Sequence, residues 1–300
     1  MMKVLITGGT GLVGRAISKS LLESGYQVAI LSRNIERSGI MAFKWDFESK
    51  YIDPEAIEFA DVIINLAGEN ISAKNWDPGQ KKIIQESRLH SVSMLAQSIA
   101  KAKNKPNHFI SASAIGYYGS VTSDKIFVES DPPGNDFLAN TVAAWESQMD
   151  SIQNLGVKIQ KIRMGVVLSG DGGALRKMQL PVKFGLGSAL GSGKQWMPWI
   201  SLDDLVSVFK FVIENDLTYD VYNAIAPQHV NNKQFMAELS KQMQRPFFMP
   251  GIPAGILRLV FGEMSTVILE GSRISSERIL KEGFNFKHKT LQSGLMSVYS

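Results

Sequence analysis

The chain of 300 residues contains no cysteine, and this absence excludes several kinds of chemistry at once. Disulfide bonds, thiolate nucleophiles and cysteine-ligated metal sites cannot form. Only four histidines are present, and they lie far apart without the spacing of zinc ligands. We therefore expect no metal site.

The chain also lacks an apolar stretch of membrane length and an N-terminal targeting pattern. We therefore expect a cytoplasmic protein without a membrane partner. The formal net charge is +4, but the Lys and Arg residues are scattered and no nucleic-acid recognition motif is present. We expect no nucleic-acid partner, because so mild a positive charge suits an anionic cofactor equally well.

The first half of the sequence alternates short apolar runs with segments of helical periodicity. Such uninterrupted runs are typical of parallel strands that are buried on both faces of a sheet. The pattern predicts strands at 3–7, 27–32, 61–66, 108–112 and 157–163, and helices at 81–102 and 136–153. The predicted fold is an α/β fold, a Rossmann-type doubly wound parallel sheet with a smaller, mostly helical C-terminal lobe.

The pattern of the sequence changes after Gly165, where frequent glycines replace the regular alternation of predicted strands and helices. We predict a Rossmann domain over 1–165, with 202–226 returning to it. Residues 166–300 would then form a glycine-rich lid region and a small C-terminal substrate lobe. Asp203 and Asp204 are predicted to cap a helix that ends near Glu214, because Asp accepts the free N–H groups of a helix start.

A glycine-rich turn follows the first predicted strand and opens a helix, which is the context of a dinucleotide fingerprint. Gly8 permits the tight turn, Gly11 lets the backbone approach a pyrophosphate, and Gly14 lets the helix pack closely on the strand. The alternative is a glycine-rich turn with no ligand. The residues predicted to bind the cofactor here are Thr7, Gly8, Gly11, Leu12, Val13 and Gly14.

The end of the second predicted strand distinguishes NAD from NADP. An NAD site places Asp or Glu there, whereas this chain has Ser32 and Arg33. Arg33 would pair with a 2′-phosphate that a carboxylate would repel, and Ser32 could add a hydroxyl. We therefore predict that the Rossmann domain at 1–165 is NADP-binding, with NADPH preferred over NADH. The alternative for Arg33 is a solvated loop cation.

Two further strand ends are candidate cofactor contacts. Asp46 lies where a third strand should end, and it either accepts a bond from the adenine amino group or simply ends the strand. Leu66, Ala67 and Gly68 end the fourth strand, where small residues would let a ribose lie against the backbone. A tight turn is the alternative at this second position.

Together these residues resemble the extended short-chain dehydrogenase/reductases of the NAD-dependent epimerase/dehydratase superfamily. The resemblance spans essentially the whole chain and is narrowed to the atypical "epimerase family protein" subfamily of class 39U, with its appended C-terminal helical domain. The motifs that narrow it are Asn65–Gly68, Ser87–Arg88, Ser111–Gly119, Phe137–Ala139 with Trp145–Glu146, Arg163–Leu168, Gly185–Gly193, Trp199–Asp204, Tyr222–Asn223 and, in the C-terminal segment, Gly262–Met264 with Gly283–Phe284.

The resemblance implies a catalytic Ser, matched here by Ser113, and a Tyr followed four residues later by a Lys. That pair does not match, because its positions hold Leu138 and Val142, and no other Tyr-x-x-x-Lys exists in the chain. Tyr117 or Tyr118 could replace the proton donor, although without a neighbouring Lys the pKa would stay near 10. The alternative is that both tyrosine rings serve packing.

Other motif residues allow two interpretations each. Arg88 resembles a residue that faces the cofactor–substrate cleft, or it is a solvated helix arginine. Arg163 at a strand end would order the loops around the cleft. Lys194, Trp196 and Trp199 would suit a sugar-like or anionic ligand in an aromatic, basic pocket. The alternative is that the two tryptophans only anchor a loop.

Two functions of different classes follow from these residues. The first is an NADP-dependent oxidoreductase or epimerase that acts on an unknown small molecule with a non-standard acid–base arrangement. The second is a catalytically silent NADP(H)-binding or sensing protein. The resemblance also implies a homodimer, formed when the helices 81–102 and 136–153 of two copies pack into a four-helix bundle, beside the alternative of a monomer.

Overall fold

The computed structural model describes residues 1–35 and 39–299, and strands alternate with helices along its first two thirds. The strands are β1 (Lys3–Thr7), β2 (Gln27–Ser32), β3 (Ala42–Asp46), β4 (Tyr51–Ile52), β5 (Val62–Asn65), β6 (His108–Ala114), β7 (Ile126–Phe127), β8 (Lys158–Met164), β9 (Val166–Leu168), β10 (Trp199–Ser201), β11 (Val221–Ala224) and β12 (Arg273–Ile274). The α-helices are α1 (Leu12–Glu23), α2 (Pro54–Phe59), α3 (Pro78–Lys101), α4 (Phe137–Gln148), α5 (Asp150–Gln153), α6 (Gly173–Lys183), α7 (Leu202–Glu214), α8 (Asn232–Gln242), α9 (Ala254–Phe261), α10 (Ser265–Leu269), α11 (Glu277–Lys281) and α12 (Leu291–Tyr299).

Eight of the strands form one sheet in the order β11-β8-β6-β5-β1-β2-β3-β4. Neighbouring strands run parallel, except that β4 is antiparallel to β3. The chain builds outward from β1 through β2 and β3 and then crosses to β5, β6, β8 and β11 on the other side. The strand order thus reverses between β1 and β5, where a crevice opens at the carboxyl ends. The predicted Rossmann-type α/β fold is confirmed.

The central strands are buried on both faces, which explains why they read as apolar runs rather than as alternating patterns. In β1, Ile6 packs on the face covered by α1, in one cluster with Leu21. Its neighbour Leu5 points to the opposite face and packs in a second cluster with Leu95 of α3. All four side chains are buried, so the sheet is the middle layer of three.

The C-terminal part has its own apolar core, in which Trp199, Phe235 and Leu295 are fully buried. Helices α6, α8 and α12 contribute to it, which agrees with the predicted helical lobe. Residues 202–226 contain α7, which contacts α1, and β11, which pairs with β8 in the main sheet. The domain boundaries at 165 and 166 stay a prediction, as does dimerisation through α3 and α4.

Two local predictions were wrong. The single helix predicted at 136–153 breaks at Met149, because the Met149 N–H bonds to the carbonyl of Glu146 three residues back and the helical ladder tightens and ends there. The helix that ends at Glu214 is capped by Ser201, whose Oγ accepts the Asp204 N–H at 3.0 Å. The Asp204 carboxylate instead accepts the backbone N–H groups of residues 287 and 288 in the C-terminal lobe.

The described residues contain neither a membrane-spanning helix nor a cluster of metal ligands. No helix within 1–35 or 39–299 is both long enough and apolar enough to cross a membrane. In the same ranges, no three or more His, Asp or Glu side chains converge as metal ligands would.

Candidate functional site

The turn after β1 requires glycine at two positions. Gly8 has φ +66°, and a Cβ there would lie 2.9 Å from the carbonyl oxygen of Leu66. A Cβ on Gly14 would lie only 2.3 Å from the carbonyl oxygen of Gly8, so the first turn of α1 presses directly on the loop. Both contacts are with backbone, which cannot move aside as a flexible side chain would. The predicted roles of these two glycines therefore fit the geometry.

The N-terminus of α1 is open toward the crevice. Gly11 is the N-cap residue, and no side chain among residues 1–35 and 39–299 caps the helix. The N–H of Gly11 is used within the turn, where it donates to the Gly8 carbonyl at 2.9 Å. The backbone N–H groups of the first helical residues, Leu12 and Val13, have no capping side chain to satisfy them. This is the arrangement that receives a phosphate at a helix N-terminus.

A second helix starts next to this one, which the sequence did not predict. A Cβ on Gly173, at the start of α6, would lie 3.7 Å from Leu12 Cδ2. Further along α6, the Lys177 ammonium group donates to the carbonyl oxygen of Ser72 at 2.7 Å and contacts its hydroxyl at 3.1 Å. The glycine-rich region thus contacts both the start of α1 and the loop after β5.

Thr7 organises the ends of two strands from a fully buried position. Its hydroxyl donates to Asn65 Oδ1 at 2.7 Å and accepts the N–H groups of Leu66 and Ala67 at 3.0 and 3.1 Å. Asn65 Nδ2 in turn donates to Ser111 Oγ in β6 at 3.2 Å. All these bonds lie within the chain, so the Thr7 side chain shapes the backbone that borders the crevice. Direct cofactor contact by Thr7, Leu66 and Ala67 stays a prediction.

At the end of β2, Ser32 and Arg33 differ in how they are engaged. The Ser32 hydroxyl donates to the Asn34 carbonyl at 2.8 Å and accepts the Asn34 N–H at 3.1 Å, so it stabilises a local turn. Arg33 is exposed, and its guanidinium has no hydrogen bond or ion pair with any residue in 1–35 or 39–299. Arg33 is therefore the side chain at this strand end that is available to an anion.

Asp46 ends β3 and closes a turn. Its Oδ1 accepts the backbone N–H of Glu48 at 2.9 Å. Hydrogen bonds from the Ser49 side chain and from the backbone of Glu48 and Ser49 hold the pKa of Asp46 below its usual range. One carboxylate oxygen is thus occupied by the turn, which is the strand-ending role weighed from the sequence, and a contact with adenine stays a prediction.

Arg88 contacts the loop after β5 rather than solvent. Its NH1 donates to the Ile84 carbonyl at 2.8 Å and its NH2 donates to the Glu69 carbonyl at 3.1 Å. Ser87 accepts the Glu69 N–H at 3.0 Å, so α3 holds this peptide from both sides. A Cβ on Gly68 would lie 3.3 Å from the Arg88 side chain, so the absence of a side chain there lets the arginine lie across the loop.

Burial changes the pKa of Arg88. Removal from solvent lowers the pKa of its guanidinium to about 10, an effect that nearby Glu69 partly opposes. The guanidinium also lies 5.4 Å from the ring centroid of Trp145, over the ring face. Arg88 is therefore not the solvated helix arginine that the sequence allowed. It stabilises the conformation of the loop at 66–69.

Ser113 lies in a buried polar network behind the end of β6. Its hydroxyl donates to Glu146 Oε1 at 2.5 Å, and the Glu146 carboxylate forms a two-point ion pair with Arg163, with both N–O distances 2.8 Å. All three residues are at most 5% exposed. Burial lowers the pKa of Arg163, but the hydrogen bonds and charge of Glu146 outweigh it and the net shift is upward. The Ser113 proton is thus held by a carboxylate inside the protein.

Tyr118 belongs to the same network. Its hydroxyl donates to Asn223 Oδ1 at 2.7 Å and accepts from Arg163 NH1 at 2.9 Å. Burial raises the pKa of Tyr118 to about 12, although Arg163 and Asn223 act in the opposite direction. Tyr117 is half-buried, and the Arg163 guanidinium lies over its ring at 3.4 Å from the centroid. Packing and hydrogen bonding thus account for both tyrosines, and their catalytic roles stay a prediction.

Leu138 and Val142, which the resemblance aligns with the family's Tyr and Lys, are apolar side chains. Leu138 and Val142 lie on α4 and face the turn at 115–118. A Cβ on Gly116 would lie 3.4 Å from Leu138 Cβ and 3.9 Å from Val142 Cγ2. The turn and the helix are therefore in close van der Waals contact at these two side chains.

The region of Trp196 and Trp199 is not an aromatic pocket. Trp199 is fully buried in the core of the C-terminal lobe. Trp196 is half-buried, and its indole N–H donates to the Ser123 carbonyl at 2.8 Å. Both side chains therefore anchor this segment, which is the second of the two interpretations drawn from the sequence.

An open cavity of about 650 Å³ lies away from the predicted site residues, and none of them lines it. It is bordered by the starts of α3 and α4 and by Glu263. Trp76 packs edge-on against Phe137 with ring centroids 5.2 Å apart, while Lys81 lies over Phe137 and forms an ion pair with Glu263. The cavity therefore belongs to the contact between the Rossmann domain and the C-terminal lobe.

Sequence reasoning found the strand-end residues but missed the partners that hold them. Glu146 and Asn223 were noted only as motif residues, yet both bind the predicted catalytic side chains. Lys177 and Gly173 carried no signal, because what matters is their contact with distant parts of the chain. Glu146 is the only charged residue in the sequence of α4, and this was the available hint that an internal cation would face it.

Comparison with known proteins agrees with the motifs. A model of the NAD dependent epimerase/dehydratase family matches residues 4–224, and a model of a domain of unknown function, DUF1731, matches residues 252–298. The chain is 34% identical to the epimerase family protein YfhF of Bacillus subtilis (strain 168), over 98% of this chain and 97% of the relative. It is 33% identical to the epimerase family protein SDR39U1 of Mus musculus, over 99% of each chain.

Among solved structures, the human epimerase family protein SDR39U1 (isoform 2), crystallised with NADPH, superposes with a TM-score of 0.88. The two sequences are 30% identical, and 99% of each chain is covered. The resemblance to the epimerase family proteins, including their C-terminal domain, is thereby confirmed. The chain belongs to the NAD dependent epimerase/dehydratase family.

Proposed function

We propose that this protein binds NADP(H) across the crevice at the ends of β1 and β2. The observation that carries the proposal is the open N-terminus of α1 beside an exposed Arg33 that has no partner among the described residues. The helix N-terminus suits the pyrophosphate, and the guanidinium suits a 2′-phosphate. The human relative crystallised with NADPH supports this choice.

We further propose that the protein is an oxidoreductase- or epimerase-like enzyme acting on a small molecule of unknown identity. A bound nicotinamide would supply hydride transfer, and the residues of this chain would bind and orient the cofactor. The proton would have to move without the family's Tyr–Lys pair, because Leu138 and Val142 fill those positions. A cytoplasmic location, which the absence of cysteine suits, is part of the same proposal.

A second candidate function is NADP(H) binding without turnover. It is favoured by the hydrogen bonds of Ser113 and Tyr118, whose protons are directed to Glu146 and Asn223. A general acid must be able to reach its substrate within hydrogen-bond distance, and both hydroxyls are buried. This arrangement suits a protein that keeps the cofactor site and has lost the acid–base step.

Calorimetric titration with NADPH and NADH tests the cofactor proposal. Arg33→Ala should weaken NADPH binding by about 10- to 100-fold, because a charge-assisted bond of about 1.5–3 kcal/mol is lost, and should leave NADH binding unchanged. Lys19→Ala is the matched control, since it removes an exposed cation from the middle of α1. An equal loss for both cofactors would refute the 2′-phosphate assignment, and no binding of either would refute the proposal.

Turnover is tested separately by NADPH oxidation across a panel of carbonyl compounds and by isomerisation of nucleotide sugars. Reaction with any class of substrate supports the enzyme, and Ser113→Ala should then abolish it without changing NADPH affinity. Tight NADPH binding with no reaction across the panel would leave the binding protein as the function.

A further inference from the structure

Two segments of the C-terminal half lie side by side and expose large apolar side chains. They are residues 172–191, which include α6, and residues 239–262, which include α9. The Gly191 N–H donates to the Ile252 carbonyl at 2.9 Å, and the Ile252 N–H donates to the Ala189 carbonyl at 2.8 Å. A Cβ on Gly185 would lie 3.9 Å from Pro246 Cγ, so the two segments are also in contact at their other end.

The exposure of these side chains is unusual for their size. Phe184 is 79% exposed, Phe248 is 74% exposed and Leu259 is 88% exposed. Phe184 and Phe248 lie next to the contact between Gly185 and Pro246, so they protrude from neighbouring positions. Clustered exposed apolar groups of this kind mark a surface that binds something.

The charges of the two segments have one sign. Residues 172–191 and 239–262 contain no Asp or Glu. Lys183, Arg245 and Arg258 are exposed, and none of the three is paired with a carboxylate anywhere in the part of the chain that the structure describes. In α6, the residues of the outer face include Arg176 and Lys183, while Leu175 and Val182 of the same helix are buried. The surface therefore combines protruding apolar groups with unpaired cations.

We propose that this apolar–basic surface, formed by residues 172–191 and 239–262, binds the interface of an anionic lipid bilayer. Aromatic and aliphatic side chains would enter the headgroup–acyl boundary while the cations face the lipid phosphates. A second copy of the chain fits less well, because a two-fold contact would bring like charges against each other. The sequence-based expectation of no membrane partner considered spanning segments, and surface attachment needs none. The proposal is independent of the cofactor site.

Cosedimentation with vesicles of phosphatidylcholine and phosphatidylglycerol (60:40), and with pure phosphatidylcholine vesicles, tests the proposal. At 50 mM NaCl we expect the protein to bind the anionic vesicles at least tenfold more strongly than the neutral ones. Binding should fall steeply at 500 mM NaCl, because salt screens the cations. Absence of binding to anionic vesicles at 50 mM NaCl would overturn the proposal.

Two double variants test whether the residues of this surface bind the vesicles. Phe184→Ser with Phe248→Ser should lower binding at least tenfold, and Lys183→Gln with Arg245→Gln should lower it about 25-fold, since each cation contributes about fivefold. The controls are Ile83→Ser with Met41→Ser, two apolar side chains outside this surface that are about half exposed, and Lys19→Gln with Lys281→Gln, two exposed cations outside it. Equal losses in the control variants would overturn the assignment of the surface.

Two further measurements separate the remaining outcomes. Thermal unfolding followed by circular dichroism must show the variants folded, and because the substituted side chains are exposed we expect a shift of less than about 2 °C. Light scattering without vesicles distinguishes a second copy as the occupant. A dimer that Phe184→Ser with Phe248→Ser dissociates would overturn the membrane proposal in favour of self-association.

Discussion

The two parts of the candidate site are built in opposite ways. At the ends of β1 and β2, the groups suited to a ligand are backbone N–H groups and an exposed cation without a partner among the described residues. At the end of β6, by contrast, each polar side chain is bonded to another one, from Ser113 through Glu146 and Arg163 to Tyr118. The first region is open to a ligand and the second is satisfied within the protein.

This difference teaches which part of a dehydrogenase-like site can be kept when the other changes. Dinucleotide binding depends on glycine positions and a helix terminus, which are set by the backbone. Acid–base chemistry depends on a side chain that has a free proton and an adjusted pKa. In this chain the second requirement is opposed by the same hydrogen bonds that stabilise the fold.

The largest expected effect comes from breaking the buried network. Glu146→Ala would leave the Arg163 guanidinium buried without its counterion, which costs about 3–5 kcal/mol of the free energy of unfolding. Urea denaturation measures it, with Glu277→Ala in the exposed pair with Lys281 as the control that should change little. A loss below about 1 kcal/mol would mean that the network does not stabilise the fold.

The next effect concerns the open region. Gly14→Ala would place a Cβ 2.3 Å from the Gly8 carbonyl oxygen, so α1 must shift, at a cost of about 1–3 kcal/mol of stability. NADPH affinity should fall with it, because the shift displaces the helix N-terminus. Gly255→Ala is the control, since nothing lies within 4 Å of its added Cβ. Unchanged stability and unchanged NADPH affinity together would contradict the close approach of helix and loop.

The open region is also the part that the sequence predicted. The roles of Gly8, Gly14 and Arg33 depend on residues that are close in sequence. A single segment therefore predicts the strand, the turn and the helix. The fold class was predictable for the same reason, since apolar strands alternate with helices along the first half. The capping of α7 was missed because Ser201 and two acidic residues all favour a helix start, and only the long-range bonds of Asp204 decide among them.

The buried network was not predictable from spacing. Its bonds join residues that are 17 to 105 positions apart, and the motif letters carry no distance information. Ser113 was identified correctly as a strand-end serine, but its orientation toward Glu146 depends on how α4 packs on the sheet. The contact between α6 and the start of α1 was missed for the same reason, because glycine-rich segments have no periodicity to interpret.

A smaller effect, on the affinity for NADPH, is expected at Arg88, which lies at the boundary between the open region and the buried network. Arg88 holds the loop after β5, which lies on the side of β1 opposite to β2 and so borders the nicotinamide half of a bound dinucleotide. Arg88→Ala should weaken NADPH binding about tenfold and leave binding of 2′,5′-ADP unchanged, because the latter lacks that half. Calorimetry measures both ligands, and Lys101→Ala at the exposed end of α3 is the control. Equal losses for the two ligands would show that Arg88 acts on the fold as a whole.

The smallest expected effect concerns Tyr118, whose contribution to the free energy of unfolding should not depend on pH between 6 and 9. Burial raises the pKa of Tyr118 to about 12 from 10 in the unfolded chain, so its stabilising contribution is complete below pH 10 and is lost only between pH 10 and 12. The difference in unfolding free energy between the wild type and Tyr118→Phe should therefore be constant at pH 6, 7.5 and 9. Urea denaturation at each pH measures it. A change across this range would mean that Tyr118 ionises near neutral pH, as a catalytic tyrosine must, and the contrast between an open and a satisfied region would fail at that residue.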